Sequence, residues 1–140
     1  MRRGSRRIKA VKLIAVLCLV YVGIVIAFES LIGYFQPGGG TMLVISTTAN
    51  DGTPNDRVLS PLKSNGRLYV AANHWPRAWY NRALKNPNVQ VTLDGEKEDY
   101  LAVPVTGEEH DRVNGDNSLG MMFRIVTGFP PRYFVRLDPH

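Results

Sequence analysis

Hydrophobic positions follow three different periods along this chain. From Leu13 to Phe28 they run without a break or a charge (LIAVLCLVYVGIVIAF). Sixteen residues at 1.5 Å rise reach roughly 24 Å, close to the ~30 Å of a hydrocarbon core. Glu29 interrupts the run, but Leu31, Ile32, Tyr34 and Phe35 extend it. Lys12 can snorkel at one end, and Tyr34 and Phe35 suit an interface at the other. The pattern predicts a membrane-spanning helix from about Ile8 to Tyr34. A cleaved secretory signal shares the basic-then-apolar order, with Val25 and Ala27 as the small residues before a cut at Phe28. The length of the run and the apolar residues beyond Phe28 favour a retained anchor. Leu17 is too bulky for a lipobox, so Cys18 reads as one more apolar helix residue.

Gln36-Pro37-Gly38-Gly39-Gly40 cannot sustain a helix and lacks the Gly-Lys-Ser/Thr of a phosphate loop, so it reads as a linker. Beyond it the period falls to two. Strands are predicted at Thr41 to Thr48, Asp56 to Lys63, Arg67 to Asn73, Val89 to Leu93, Asp99 to Thr106 and Arg132 to Leu137. Asp51-Gly52, Asn65-Gly66 and Asp94-Gly95 are hairpin dipeptides, and Pro61 demands an edge, bulge or end position. A helical period intervenes after Pro76, where Trp79, Tyr80, Ala83 and Leu84 share one face and Asn86-Pro87 ends it. A short acidic helix begins at Gly107-Glu108-Glu109 behind Thr106 as N-cap. The expected fold class is mainly β (α+β). It is a small barrel of about six antiparallel strands with two short helices, preceded by one N-terminal transmembrane helix. The layout is residues 1–35 as basic N-terminus and anchor, 36–40 as linker and 41–140 as the barrel domain.

Charge sharpens this picture. The 140 residues hold 17 Lys and Arg against 12 Asp and Glu, a net charge of +5. Six of the cations (Arg2, Arg3, Arg6, Arg7, Lys9, Lys12) precede the apolar run and the next is Arg57. The basic character therefore belongs to the N-terminus, which disfavours a nucleic-acid-binding domain. The same asymmetry predicts a cytoplasmic N-terminus and an extracytoplasmic C-terminal domain. One cysteine excludes an intramolecular disulfide framework. His74, His110 and His140 have no metal-ligand spacing, and no serine lies in a Gly-x-Ser-x-Gly elbow.

The richest chemistry lies in Asn73-His74-Trp75-Pro76-Arg77-Ala78-Trp79-Tyr80-Asn81-Arg82, where a strand passes into a helix. Helix N–H donors can hold anions and aromatic rings can cover planar ring systems. The segment could equally be packing, with Trp79 and Leu84 on the barrel and the arginines in water. Pro76-Arg77-Ala78-Trp79-Tyr80-Asn81, then Leu84, Asn86-Pro87 and Val89-Gln90-Val91, resembles the deazaflavin (F420H2)-dependent nitroreductase and quinone reductase family. Arg57 with Ser60-Pro61-Leu62 and Val105-Thr106-Gly107-Glu108-Glu109 extend the likeness over about Thr47 to Val113. The resemblance implies a split β-barrel that binds the deazaflavin coenzyme F420, with FMN as the alternative. It also implies hydride transfer to a quinone or nitroaromatic acceptor and a homodimer. By position, Arg57, Pro61 and Leu62 would line the cofactor groove, Ala72, Asn73 and His74 would contact its phosphate or ring, and Trp79 and Tyr80 would support that wall. The chain departs from the family's basic turn, carrying Asp51 and Asp56 there, and Lys63 replaces an expected aromatic. A non-catalytic, membrane-tethered barrel that binds a ligand or partner is the alternative in a different class.

Overall fold

The computed structural model describes residues 2–34, 41–73 and 77–140. They form two compact units: one holds helix α1 and Gly120–Phe129, the other the strands with two short helices. Helix α1 (Arg2–Tyr34) contains a stretch, Arg6–Leu31, long and apolar enough to cross a membrane. Helix α4 (Met121–Val126) belongs to the same unit. Phe123 meets Phe28 edge to face with centroids 6.1 Å apart, and the Tyr21 hydroxyl donates to the Ile125 carbonyl at 2.7 Å. The linker predicted at 36–40 lies outside the described residues.

The second unit contains β1 (Leu43–Thr48), β2 (Pro54–Leu59), β3 (Leu62–Ser64), β4 (Arg67–Asn73), α2 (Ala78–Lys85), β5 (Asn88–Leu93), β6 (Glu96–Pro104), α3 (Gly107–Asp116) and β7 (Arg132–Pro139). All strand pairs are antiparallel, in the order β2-β1-β5-β6-β7-β4-β3. The predicted hairpins form: Asn65, Gly66, Asp94 and Gly95 all have positive φ, as the tightest hairpin turns require. Two expectations are corrected. The strand expected from Asp56 to Lys63 is two strands, divided at Ser60-Pro61, so the sheet has seven strands. Two further helices become three, because α4 occupies a stretch with no predicted element.

That division closes the fold. In a flat sheet β2 and β3, at opposite edges, would stand about 29 Å apart across six ~4.8 Å gaps. Only Ser60 and Pro61 join them, and three residue steps reach at most about 11 Å. The sheet must therefore curl until its edges approach, giving a half-barrel. Pro61 suits the junction because a residue passing between edges needs no ladder donor.

The concave face carries the main core, including Leu43, Ile45, Val70, Val91, Val135 and Leu137, plugged by Trp79 and Ala83 of α2. On the convex face α3 covers a second cluster of Tyr69, Val105, Val113 and Phe134. Strands β4 and β7 are thus buried on both sides. A polar network fastens α3 there: the Tyr69 hydroxyl donates to Glu109 at 2.8 Å, and Arg136 donates to both Glu109 oxygens at 3.0 and 2.9 Å.

Candidate functional site

Antiparallel register assigns each candidate to a face, because directly paired residues project to the same side. Arg57 pairs with Ile45, a core residue of the concave face. Its neighbours two residues away, Asn55 and Leu59, pair with the buried Thr47 and Leu43. Arg57 therefore lies on the concave side of edge strand β2 while its side chain remains exposed. No hydrogen bond or ion pair engages its guanidinium among the described residues. At the other edge, Lys63 pairs with Leu68, which also packs on the concave core. Lys63 is thus a second exposed cation on the same face, at the edge brought near β2 by the Ser60-Pro61 connector.

The remaining candidates divide. Ala72 is buried on the concave face and pairs with Tyr133. Tyr133 in turn meets Tyr80 at 5.6 Å between ring centroids, and Tyr80 stands edge-on to Trp79 at 6.0 Å. Burial raises the Tyr80 phenol above its ordinary value, with Tyr133 adding to the shift. It stays a protonated donor at neutral pH. Trp79 is 3% exposed and packs chiefly as a core side chain. Asn73 faces the convex side, where its amide oxygen accepts from Arg132 Nε at 3.0 Å. Leu62 pairs with Tyr69 and packs in the cluster beneath α3, on the face opposite Arg57. Pro61 lies half-buried in the connector. His74 lies outside the described residues.

The acidic turn is internally engaged. Asp51 Oδ1 accepts from the Thr53 N–H at 2.9 Å, which with other local hydrogen bonds holds its carboxyl below the ordinary value. Asp56 accepts from the Ser46 hydroxyl at 2.5 Å, on the face opposite Arg57. Asp56 is thus turned away from the face that carries the two cations, and Asp51 lies in the turn before β2. Helix α2 is held on the barrel by Arg82, whose Nε donates to the fully buried Thr47 hydroxyl at 3.0 Å. Among the described residues no group of three or more His, Cys, Asp or Glu side chains is placed to hold a metal ion.

Sequence reasoning passed over Lys63 and Tyr133 as site residues. The signal for both lay in strand register, which fixes the face only once the partner strand is known.

A family model described as F420H(2)-dependent quinone reductase matches residues 20–119. The chain belongs to this family. The family is F420H2-dependent, so the coenzyme implied by resemblance is F420. A search of curated proteins gives no match. Solved structures share the fold of this family member. General Stress Protein 26 from Bacillus anthracis is 23% identical, with 72% of this chain and 81% of that chain covered at a TM-score of 0.55. A conserved hypothetical protein from Mycobacterium tuberculosis is 17% identical, with 80% of each chain covered and a TM-score of 0.52. The heme storage protein HutZ from Vibrio cholerae is 15% identical, covering 71% and 81% at 0.52. At these identities the likeness shows the split-barrel-like fold alone.

The family's cofactor needs a surface for a planar ring and cations for anionic groups. The concave face offers both types: an aromatic pair, Tyr80 and Tyr133, at one end of β4, and Arg57 and Lys63 on the two edge strands. Ala72 and Leu68 lie four residues apart on β4, so the aromatic end and the Lys63 end are separated by roughly 13 Å of strand.

Proposed function

We propose that the chain is a membrane-anchored oxidoreductase that uses reduced F420 to reduce a quinone dissolved in the bilayer, with nitroaromatics as alternative acceptors. The family match over residues 20–119 carries this reading, and the length and apolarity of α1 support the anchor. Bound reduced F420 would supply a hydride, which together with one proton converts a quinone to a hydroquinone. Arg57 and Lys63 bind anionic groups of the cofactor, Tyr80 and Tyr133 border its ring, and the neutral Tyr80 phenol can donate a hydrogen bond to a ring or acceptor oxygen. Ala72, small and buried on the same face, pairs with Tyr133 beneath that pair. Pro61 and Trp79 support the proposed wall, Leu62 and Asn73 lie on the convex face outside it, and a contact from His74 is kept as an expectation of the resemblance. Homodimerisation is part of this reading as an expectation of the resemblance.

Titration of F420 and of FMN against detergent-purified protein tests the site. F420 is expected to bind, and Arg57→Ala to weaken it about ten- to hundredfold, the worth of one charge-assisted contact. If neither ligand binds the wild type below millimolar concentration, the non-catalytic tethered barrel replaces the enzyme reading.

Topology is tested separately. The six cations before the apolar run support a cytoplasmic N-terminus and an extracytoplasmic barrel. A C-terminal reporter active only outside the cytoplasm should therefore be active. Activity of a cytoplasm-only reporter at the same position would reverse the orientation, and would put the barrel on the side where cytoplasmic reduced coenzyme is supplied.

A further inference from the structure

Segment Gly120–Phe129 has no place in the half-barrel, and its packing is with α1. Contacts run from Tyr21 to Phe28: the Tyr21 hydroxyl on the Ile125 carbonyl, Gly128 against Val25 with only 3.2 Å for an added Cβ, and Phe123 on Phe28. Tyr21 lies about 4 Å along the axis from the midpoint of the Arg6–Leu31 stretch. If that stretch spans a bilayer, α4 cannot be at the surface. It must sit in the hydrocarbon.

Its side chains and C-terminal carbonyls suit that environment. Met121, Met122, Ile125 and Phe129 are 62, 72, 40 and 52% exposed, a set that water would leave as an apolar patch. Between Asp116 and Asp138 there is no acidic residue. A helix end in hydrocarbon must satisfy its own carbonyls. The Phe123 carbonyl accepts from the Thr127 N–H (3.0 Å) and hydroxyl (2.8 Å), and the Arg124 carbonyl from the Phe129 N–H (2.9 Å) and the Thr127 hydroxyl (3.3 Å). The Ile125 carbonyl accepts from the Gly128 N–H (3.2 Å) and from Tyr21 (2.7 Å). Each of the three carbonyls has a backbone donor, and two hydroxyls supplement them: Tyr21 on Ile125, and Thr127, whose single proton is shared between Phe123 and Arg124. The one cation of α4, Arg124, lies over the Phe129 ring at 5.3 Å, a cation–π contact that offsets part of the cost of its desolvation.

We infer that Gly120–Phe129 is a second membrane-embedded element, a short re-entrant helix packed on α1 with Met121, Met122, Ile125 and Phe129 facing lipid acyl chains. This rests on the proposal that α1 spans the membrane, and the test separates the two. In a Cys18→Ala background, nitroxide labels are placed singly at Met122→Cys, Ile125→Cys, Val16→Cys in α1 and Asn114→Cys on exposed α3. The full chain is reconstituted in phosphatidylcholine–phosphatidylglycerol vesicles, and accessibility to oxygen and to a water-soluble nickel chelate is read for each. Unchanged circular dichroism shows that each variant folds. The expected result is high oxygen and lost nickel-chelate accessibility at 122 and 125, matching position 16 and opposite to position 114. Nickel-chelate accessibility at 122 and 125 with position 16 protected would overturn the re-entrant helix and leave the anchor intact. Low accessibility to both reagents at 122 and 125 would mean that protein covers the segment, which also overturns it. An aqueous signal at position 16 would remove the anchor and the embedded helix together.

Discussion

Arg57 and Trp79 lie on the same face of the barrel, yet they are expected to fail differently. Arg57 is exposed, so Arg57→Ala should leave thermal unfolding unchanged and act on ligand affinity alone. Trp79 is almost wholly buried, and its truncation should cost ~3–5 kcal/mol of stability by leaving a cavity under α2. Calorimetry of the two variants checks this, and a destabilised Arg57→Ala would show the arginine to be structural. Glu109 makes a third residue-scale case. Hydrogen bonds from Arg136 above all, and also from Tyr69, hold its carboxyl below the ordinary 4.5. A carboxylate depressed in the fold contributes stability that is complete above its unfolded value and lost as pH falls through its folded one. Glu109→Gln should therefore lower stability at neutral pH and flatten the loss below about pH 4.5, measured as urea midpoints against pH. An unchanged slope would assign acid sensitivity to other carboxylates.

Hairpins are the elements the sequence specifies best, because two residues decide them. Gly66 has φ +73°, and no atom lies within 4 Å of an added Cβ, so Gly66→Ala is a test of backbone conformation alone. It should cost roughly 1–2 kcal/mol in a denaturant titration, and a neutral result would mean that the β3–β4 turn relaxes to another type. Elements that depend on distant partners were less legible. The residues of β2 and β3 read as one strand, since both halves carry strand residues and the reason for the break is closure of the sheet. Helix α4 left no sequence signal because it has six residues, and what orders it is α1, with Tyr21 104 positions from Ile125. The candidate site shows the same division. Arg57 and the Trp79-Tyr80 helix could be picked out from residue types and resemblance, whereas Lys63 and Tyr133 joined them only through register.

At the scale of the whole molecule, both hydrophobic clusters lie entirely within the strand-bearing unit, with no member from α1 or α4. A chain lacking residues 1–38 should consequently retain β-type circular dichroism and unfold cooperatively, and a featureless melt would show that α1 is needed for folding. Chain order adds a constraint in time. Strand β7 comes after the other six, yet it lies between β6 and β4, in the middle of the sheet. A growing chain must hold β2-β1-β5-β6 and β4-β3 as separate pieces, each with an unpaired inner edge open to wrong partners. Closure of the half-barrel therefore waits for Arg132–Pro139, the last strand in chain order and the one that joins the two half-sheets.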